Sequence, residues 1–520
     1  MKFFSRWNPS SSVRCALALA ALGLVLPAAL TAQEAEAWLA DYGRASGWEG
    51  ASVDLVLARG EGSYNGNPGE ITLAMDKELR YRFDFGGAMP YLLSSDGESG
   101  WERDWMGTPR RLTLREKEEA RAMLLFMSGH WWTHRDRFHW RVERIEGQRS
   151  LHWTAKDGRF RGSLSLNDEN LVESCTFDNG KWLDEIHYLN YRQIDQVHFP
   201  AELRIQRPGD EVDTVQFTSI SRPQTAAESW FPKRQKLRAD FRFDPAVSPK
   251  LVCRQAPTGH LLVQVDLGLE EEKWFIFDTG AGASTLSTTV GASLQLQEVG
   301  EITAVGIGGR VKTRFVQGPE FRIGPLRIEK SVFLELDLSF LEPVFGVEIA
   351  GIIGYGVLSR CVAEVDMVEG WVQLHPSSSY ELKSGAWQDL VLYDRHPCVE
   401  AGFEGDHRGW FRLDTGAAGS TVMFHTPAVQ ELSLLQDREV SDGGAGGVGG
   451  MLPIKQGRIR WFELAGHRFE NPEVGFGVVD KGAFKDAWTL GNIGGDFLKP
   501  FRLVLDYQNE RIAFQKRSNP

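Results

Sequence analysis

The 520-residue sequence predicts a mainly β protein, with an antiparallel sheet region carrying a few helices in front and two related β lobes behind. Three observations predict this. Residues 33–235 alternate apolar and polar side chains between turn residues, the pattern of antiparallel strands with one wet face. From 251 onward the strands become more apolar and glycine becomes dense. Within that second region an unusual stretch occurs twice: FIFDTGAGAST, ending at Thr285, returns as FRLDTGAAGST, ending at Thr421. The length points to two or three domains. A hydrophobic content of 42% and a charged content of 25% are globular values. The net charge of −12 argues against a nucleic-acid partner, whose surface needs clustered positive charge.

Residues 1–32 read as a secretory signal peptide. Lys2, Arg6 and Arg14 precede the apolar run CALALAALGLVL, Pro27 closes it, and small residues lead to a cleavage point after Ala32. Export to a periplasmic or extracellular space is therefore expected, an uncleaved anchor being the alternative. Cys15 sits ahead of the run and is badly placed for lipidation. Cys175, Cys253, Cys361 and Cys398 are widely spaced with no CxxC, which disfavours a zinc cluster.

The front region, 33–235, is read as an accessory β domain. GEITLAMDKELRYRFDF, the long run from Ser150 to Gly180, and VDTVQFTSI give its strands. LREKEEARAMLLFMSG gives a helix that Gly129 ends. Ten of the 17 tryptophans fall here, so the region holds either a large aromatic core or an apolar groove for a lipid or peptide. A linker follows at 236–250. The lobes span 251–380 and 384–520. Asp278 aligns with Asp414, and GIIGYGVLSRCVAEVDMVEGWVQL from Gly351 aligns with GNIGGDFLKPFRLVLDYQNERIAF from Gly491. Glycine-rich stretches lie between the aligned ends, GIGG at 306–309 and GGAGGVGG at 443–450. They are candidates for lids over a site, or else mobile hairpin turns.

One Asp-Thr-Gly turn is weak evidence of function, because such turns are common. Two copies are different, since a pseudo-twofold brings two carboxylates to one axis. Carboxylates in contact do not both ionise readily, so they hold one proton between them. One then serves as general base toward a water and the other as general acid toward a peptide carbonyl, with no metal, cofactor or covalent intermediate. Gly280 and Gly416 let backbone N–H groups approach the carboxylates. Thr279 and Thr415 offer hydroxyls that reach across to the opposite loop. Ala281 and Ala417 offer none, which predicts higher apparent dyad pKa values than Ser or Thr would give.

The doubled Asp-Thr-Gly-Ala motif with its downstream Ile-Ile-Gly segment resembles the pepsin/retropepsin aspartic peptidases, most closely their bacterial retropepsin-like branch. The resemblance covers about 250–518. It implies a bilobal pair of β-barrels, with Gly354 and Gly494 in loops threaded beneath the catalytic loops. It also implies a peptide or protein substrate. Both halves in one chain imply a monomer. Two positions depart from the pattern: Asn492 stands where an apolar residue is expected, and Gly356 stands opposite Asp496. The segments SSDGESGWERDWMG and YLNYRQIDQVHFPAELRIQ resemble lipoprotein-carrier (LolA-like) domains, which implies a curved sheet around helices with an apolar cavity.

The reading that results is an exported aspartic endopeptidase. Its rivals are an exported lipid- or lipoprotein-binding protein with an inactive peptidase-like half, and a scaffold that keeps the fold alone. His130, His134 and His139 beside Asp136 lack an HExxH frame and are set aside as a metal site. GxSxG and GxxxxGK[ST] are absent, which argues against a serine hydrolase and a phosphate-binding loop.

Overall fold

The computed structural model describes residues 28–145, 148–180, 182–208, 210–225, 230–232 and 237–517. Strand accounts for 49% and helix for 15%. The signal-peptide reading falls largely on 1–27, outside the described residues. A helix, Ala28–Ser46, begins before the expected cleavage point. No helix among the described residues is long and apolar enough to cross a membrane.

Residues 55–221 form one 13-stranded antiparallel sheet. Its centre pairs Leu55–Tyr64 with both Asn67–Asp76 and Asp213–Ser221. Two helices pack on it. Leu114–Ser128 starts at a capping box, in which the Thr113 side chain accepts from the Glu116 N–H and the Glu116 carboxylate accepts from the Thr113 N–H. It ends at Gly129, whose φ of 79° is the left-handed geometry that glycine adopts without a Cβ clash. Trp38, Trp48, Trp131, Trp132 and Trp153 are buried in the cluster between helices and sheet, together with Tyr42, Phe126 and Phe138. These aromatics fill a core.

Within the segment read as a linker, residues 240–243 make tertiary contacts. Phe241–Phe243 pairs with Leu326–Ile328, and Asp240 forms a buried ion pair with Arg360 at 3.1 Å. Arg360 also donates to the Met106 carbonyl at 2.9 Å, so one guanidinium joins the front sheet to the following region.

Beyond 250 two sheets share one order of pairings from the strand before each Asp strand onward. The first runs Cys253–Gln255, Leu261–Val265, Lys273–Phe277, Gly351–Ile353, Thr285–Ser287, Ser331–Leu336, Gly309–Gly318, Glu298–Gly306. The second runs His467–Glu470, Trp461–Leu464, His396–Phe403, His407–Asp414, Gly491–Gly494, Val422–Phe424, Glu473–Gly477, Gly450–Arg458, Val440–Gly447. In each, the strand that delivers the Asp pairs in parallel with the later glycine segment. A five-stranded sheet joins the two regions through the antiparallel pair Val362–Asp366 and Phe501–Asp506.

The closed barrels implied by the resemblance are not formed; both sheets are open. The reason lies in the last hairpin of each. Glu298–Gly318 and Val440–Arg458 project to meet one another, so their outer strands do not return to pair with the first strands of their sheets.

Candidate active site

Buried apolar strands set the two aspartates. Phe275 and Phe277 are buried ahead of Asp278, and Phe411 and Leu413 ahead of Asp414. The Asp278 N–H donates to the Ile353 carbonyl at 3.0 Å, which fixes where the strand stops and the turn starts.

The two loops interlock through their threonines, both 1% exposed. The Thr279 hydroxyl donates to the Leu413 carbonyl at 2.7 Å and accepts from the Thr415 N–H at 3.0 Å. The Thr415 hydroxyl donates to the Phe277 carbonyl at 3.1 Å and accepts from the Thr279 N–H at 3.0 Å. Four buried backbone groups are thereby satisfied across the loops.

This interlock sets the two carboxyls side by side, Asp414 against Gly280 and Asp278 against Gly416. Asp278 Oδ1 accepts from the Gly280 N–H at 2.7 Å and the Gly416 N–H at 3.2 Å. Asp414 Oδ1 accepts from the Ala417 N–H at 3.0 Å. Side chains do not fit at the glycines: a Cβ on Gly280 would lie 2.5 Å from Asp414 Oδ1, and one on Gly416 would lie 2.3 Å from Asp278 Cγ. Burial, then the charge of Asp414, pushes the Asp278 carboxyl up to about 8, against the pull of the two N–H groups. Burial also raises Asp414, opposed by the Ala417 N–H and by Arg412. Two carboxyls held this way do not both ionise readily.

The later glycines lie beneath these loops. The Tyr355 N–H donates to the Ala281 carbonyl and the Gly495 N–H to the Ala417 carbonyl, both at 3.0 Å. A Cβ on Gly354 would sit 2.5 Å from the Ala281 carbonyl oxygen, and one on Gly494 would sit 2.8 Å from that of Ala417. The structure thus gathers Asp278, Thr279, Gly280, Ala281 and Gly354 with Asp414, Thr415, Gly416, Ala417 and Gly494.

Sequence reasoning missed His260. Its Nε2 donates to the Gly416 carbonyl at 2.8 Å, its Nδ1 meets the Thr258 hydroxyl at 2.7 Å, and its ring packs on Phe345. It props the second Asp loop from the first region. A lone histidine before a strand carries no local signal of such a role. At Gly356 a Cβ would meet Met106 and the Ser284 hydroxyl at 3.4 Å, an ordinary contact, so packing does not require glycine there.

Both glycine-rich stretches form hairpin tips, and the tips touch, with the Gly308 N–H donating to the Val448 carbonyl at 3.0 Å. Val448, Ile302 and Ala304 of these hairpins share an apolar cluster with Ala281 and Ala283 of the first Asp loop. The front sheet grips the first hairpin. The Thr303 hydroxyl donates to Asp210 at 2.7 Å, Arg310 donates to the Pro208 carbonyl at 2.9 Å and pairs with Asp210, and Lys312 pairs with Glu211 at 2.9 Å. The Arg310 guanidinium also lies 5.1 Å from the Trp182 ring centre.

Among the described residues no group of three or more His, Cys, Asp or Glu side chains is placed to hold a metal. His130 is buried, with Nε2 3.3 Å from the Val53 carbonyl.

Comparison with known proteins agrees with the chemistry of the first loop. Residues 263–357 match the family model described as aspartyl protease. No curated protein matches the chain. Among solved structures, a DUF1329 family protein from Desulfovibrio piger ATCC 29098 is similar at 13% identity and a TM-score of 0.26, over 38% of this chain and 97% of that one. The match covers the first Asp region and does not reach the second.

Proposed function

We propose that this chain is an exported, single-chain aspartic endopeptidase in which residues 251–380 and 384–520 are two copies of one unit related by a pseudo-twofold. Asp278 and Asp414 share one proton and bind a water between them. The ionised carboxylate takes a proton from the water as it attacks a peptide carbonyl. The protonated one gives its proton to the carbonyl oxygen, and the leaving amine is protonated as the tetrahedral intermediate collapses. The hairpins at 298–318 and 440–458 close over the peptide. The front sheet, 33–235, is an accessory domain, and the chain works as a monomer after removal of 1–32. The observation that carries this reading is the reciprocal threonine interlock, which holds two carboxyls in contact at a cost in electrostatic repulsion that packing alone does not require.

The test is digestion of a peptide library by wild type, Asp278→Asn and Asp414→Asn across pH. Cleavage by wild type and its loss in both variants, with unchanged circular dichroism, is expected. Full activity in either variant overturns the dyad. Absence of cleavage by wild type, together with co-purifying lipid, favours a binding protein instead.

A further inference from the structure

The two aspartates have different surroundings, and the difference is a buried chain of polar side chains on one side only of the described pair. Asn492 is 9% exposed, and its Nδ2 donates to Asp414 Oδ2 at 3.3 Å. Its Oδ1 faces His425 Nε2 at 3.1 Å. His425 Nδ1 lies 3.1 Å from both the carbonyl and the hydroxyl of Thr489. That hydroxyl is 2.6 Å from Asp486 Oδ2, which Arg412 pairs at 2.5 Å. Arg412 lies opposite Asn492 in the strand register, so the chain loops back onto the strand that carries Asp414.

The equivalent places beside Asp278 follow from the shared pairing order. Arg412 opposite Asn492 corresponds to Ile276 opposite Ile352. Leu490 and Ala350 both donate to the preceding strand, at Trp410 and Trp274, so Thr489 corresponds to Ile349. The His425 N–H bonds to the Leu490 carbonyl as the Ser287 N–H bonds to that of Ala350, so His425 corresponds to Ser287. Ile276, Ile349 and Ile352 are apolar and buried, and the Ser287 hydroxyl is turned to its own helix, accepting from the Val290 N–H at 3.2 Å.

The chain has one polarity. An amide that presents N–H to Asp414 must present its oxygen to His425, so Nε2 carries the ring proton and donates. The ring is fully buried, and burial holds His425 down to about 4, so it is neutral; with its one proton on Nε2, Nδ1 can accept only from the Thr489 hydroxyl, because the carbonyl beside it has no proton to give. The Thr489 hydroxyl has a single proton to divide between Nδ1 and Asp486. The Asn492 amide and the Nε2 proton of His425 thus hold one another, with the amide N–H on Asp414 and the amide oxygen on His425. A donor locked onto a carboxylate favours the ionised form.

We propose that Asn492, locked by His425, is a positioning residue that makes Asp414 the ionised member of the pair and leaves the shared proton on Asp278. This rests on the peptidase reading for its consequence: Asp414 is the base that takes the proton of water, and Asp278 is the acid that protonates the carbonyl oxygen. The groups that face the pair are Arg412 on the Asp414 strand, His425 and Asp486 through the polar chain, His260 behind the Gly416 loop, and Tyr507 on the Asp278 side. Only the Asn492–His425 link is altered in the test.

The full chain, labelled with 13C at aspartate carboxyls, is titrated by NMR, with Asp278 and Asp414 assigned by their loss in Asp278→Asn and Asp414→Asn. Wild type should show Asp414 ionising at the lower pH. Asn492→Leu keeps the side-chain size and removes the donor; it should raise the Asp414 step by on the order of one pH unit. In the peptide assay the acid limb should move up equally, with kcat roughly tenfold lower on that limb and KM within about twofold. His425→Phe should shift the step in the same direction, and His425→Gln, which keeps an N–H donor, should recover part of it. An Asp414 step that stays in place in both Asn492→Leu and His425→Phe overturns the proposal, as does a wild type in which Asp278 ionises first. If Asn492→Leu does not fold, the His425→Phe and His425→Gln pair decides. A shift of the step in a chain that cleaves no peptide upholds the tuning and refutes the peptidase reading.

Discussion

Thr279→Val isolates the interlock. The substitution keeps the shape of the side chain and removes its hydroxyl. Two buried groups then lose their partner, the Thr415 N–H and the Leu413 carbonyl, which it bonds at 3.0 and 2.7 Å. Each orphaned buried group costs roughly 1–3 kcal/mol, so the pair costs roughly 2–6 kcal/mol, with the lower half more realistic because the loops relax. At about 3 kcal/mol the opening equilibrium of the loops rises somewhat over 100-fold. Hydrogen–deuterium exchange by mass spectrometry reads this directly on peptides covering 275–285 and 411–421. Exchange there should accelerate on that scale while the front sheet is unaffected. Thr279→Ser, which keeps the hydroxyl, should stay within about fivefold of wild type, a change of roughly 1 kcal/mol. Exchange in Thr279→Val equal to wild type would refute the reasoning, because the hydroxyl would then be satisfying nothing.

Three other outcomes follow from the geometry. Asp278 is raised to about 8 by burial and by Asp414, so the native chain retains a proton that the unfolded chain releases near pH 4. The stability this contributes is complete below the unfolded value and is lost as pH rises toward about 8. Asp278→Asn should therefore gain stability relative to wild type across that window, and parallel denaturation midpoints from pH 4 to 9 would contradict it. Asp210→Ala removes the acceptor of Thr303 and the partner of Arg310, so hydrogen exchange in 298–318 should increase while that in 440–458 changes less; equal change in both hairpins argues against a grip by the front sheet. Ala281→Thr with Ala417→Thr adds a hydroxyl donor beside each carboxylate and should move the activity–pH profile downward, whereas a profile that stays or rises speaks against donor control of the pair.

Much of the second region was legible because its chemistry is local in sequence. Asp-Thr-Gly-Ala after an apolar run names a strand that ends in a turn, and its recurrence with a matched glycine segment names a second. The helix Leu114–Ser128 was legible for the same reason, since Thr113, Glu116 and Gly129 write its ends into the chain. The barrels implied by resemblance were not formed, because sheet closure depends on where a hairpin's outer strand finds a partner, and no pattern within the hairpin records that. Phe241–Phe243, inside the segment read as a linker, pairs with residues more than eighty positions away, a pairing that its Pro and charge content does not record. His260 and His425 gave no warning, since each acts through a group supplied by a distant segment.

The sequence by itself determined the mainly β class, the two Asp turns and the residue types around them, all of which depend on neighbours within a few positions. The tertiary structure decided what those turns are to one another. The threonine cross-bonds, the contact between the carboxyls and the polar chain ending at Asn492 each join segments from different sheets or distant strands. Asn492 illustrates the division: in the sequence it is a misfit in an apolar motif, and in the fold it is the donor that makes one aspartate unlike the other. The physical reason is range, because hydrogen-bond geometry and burial are set by which surfaces the packed core brings together, and a linear pattern holds only what adjacent residues can do.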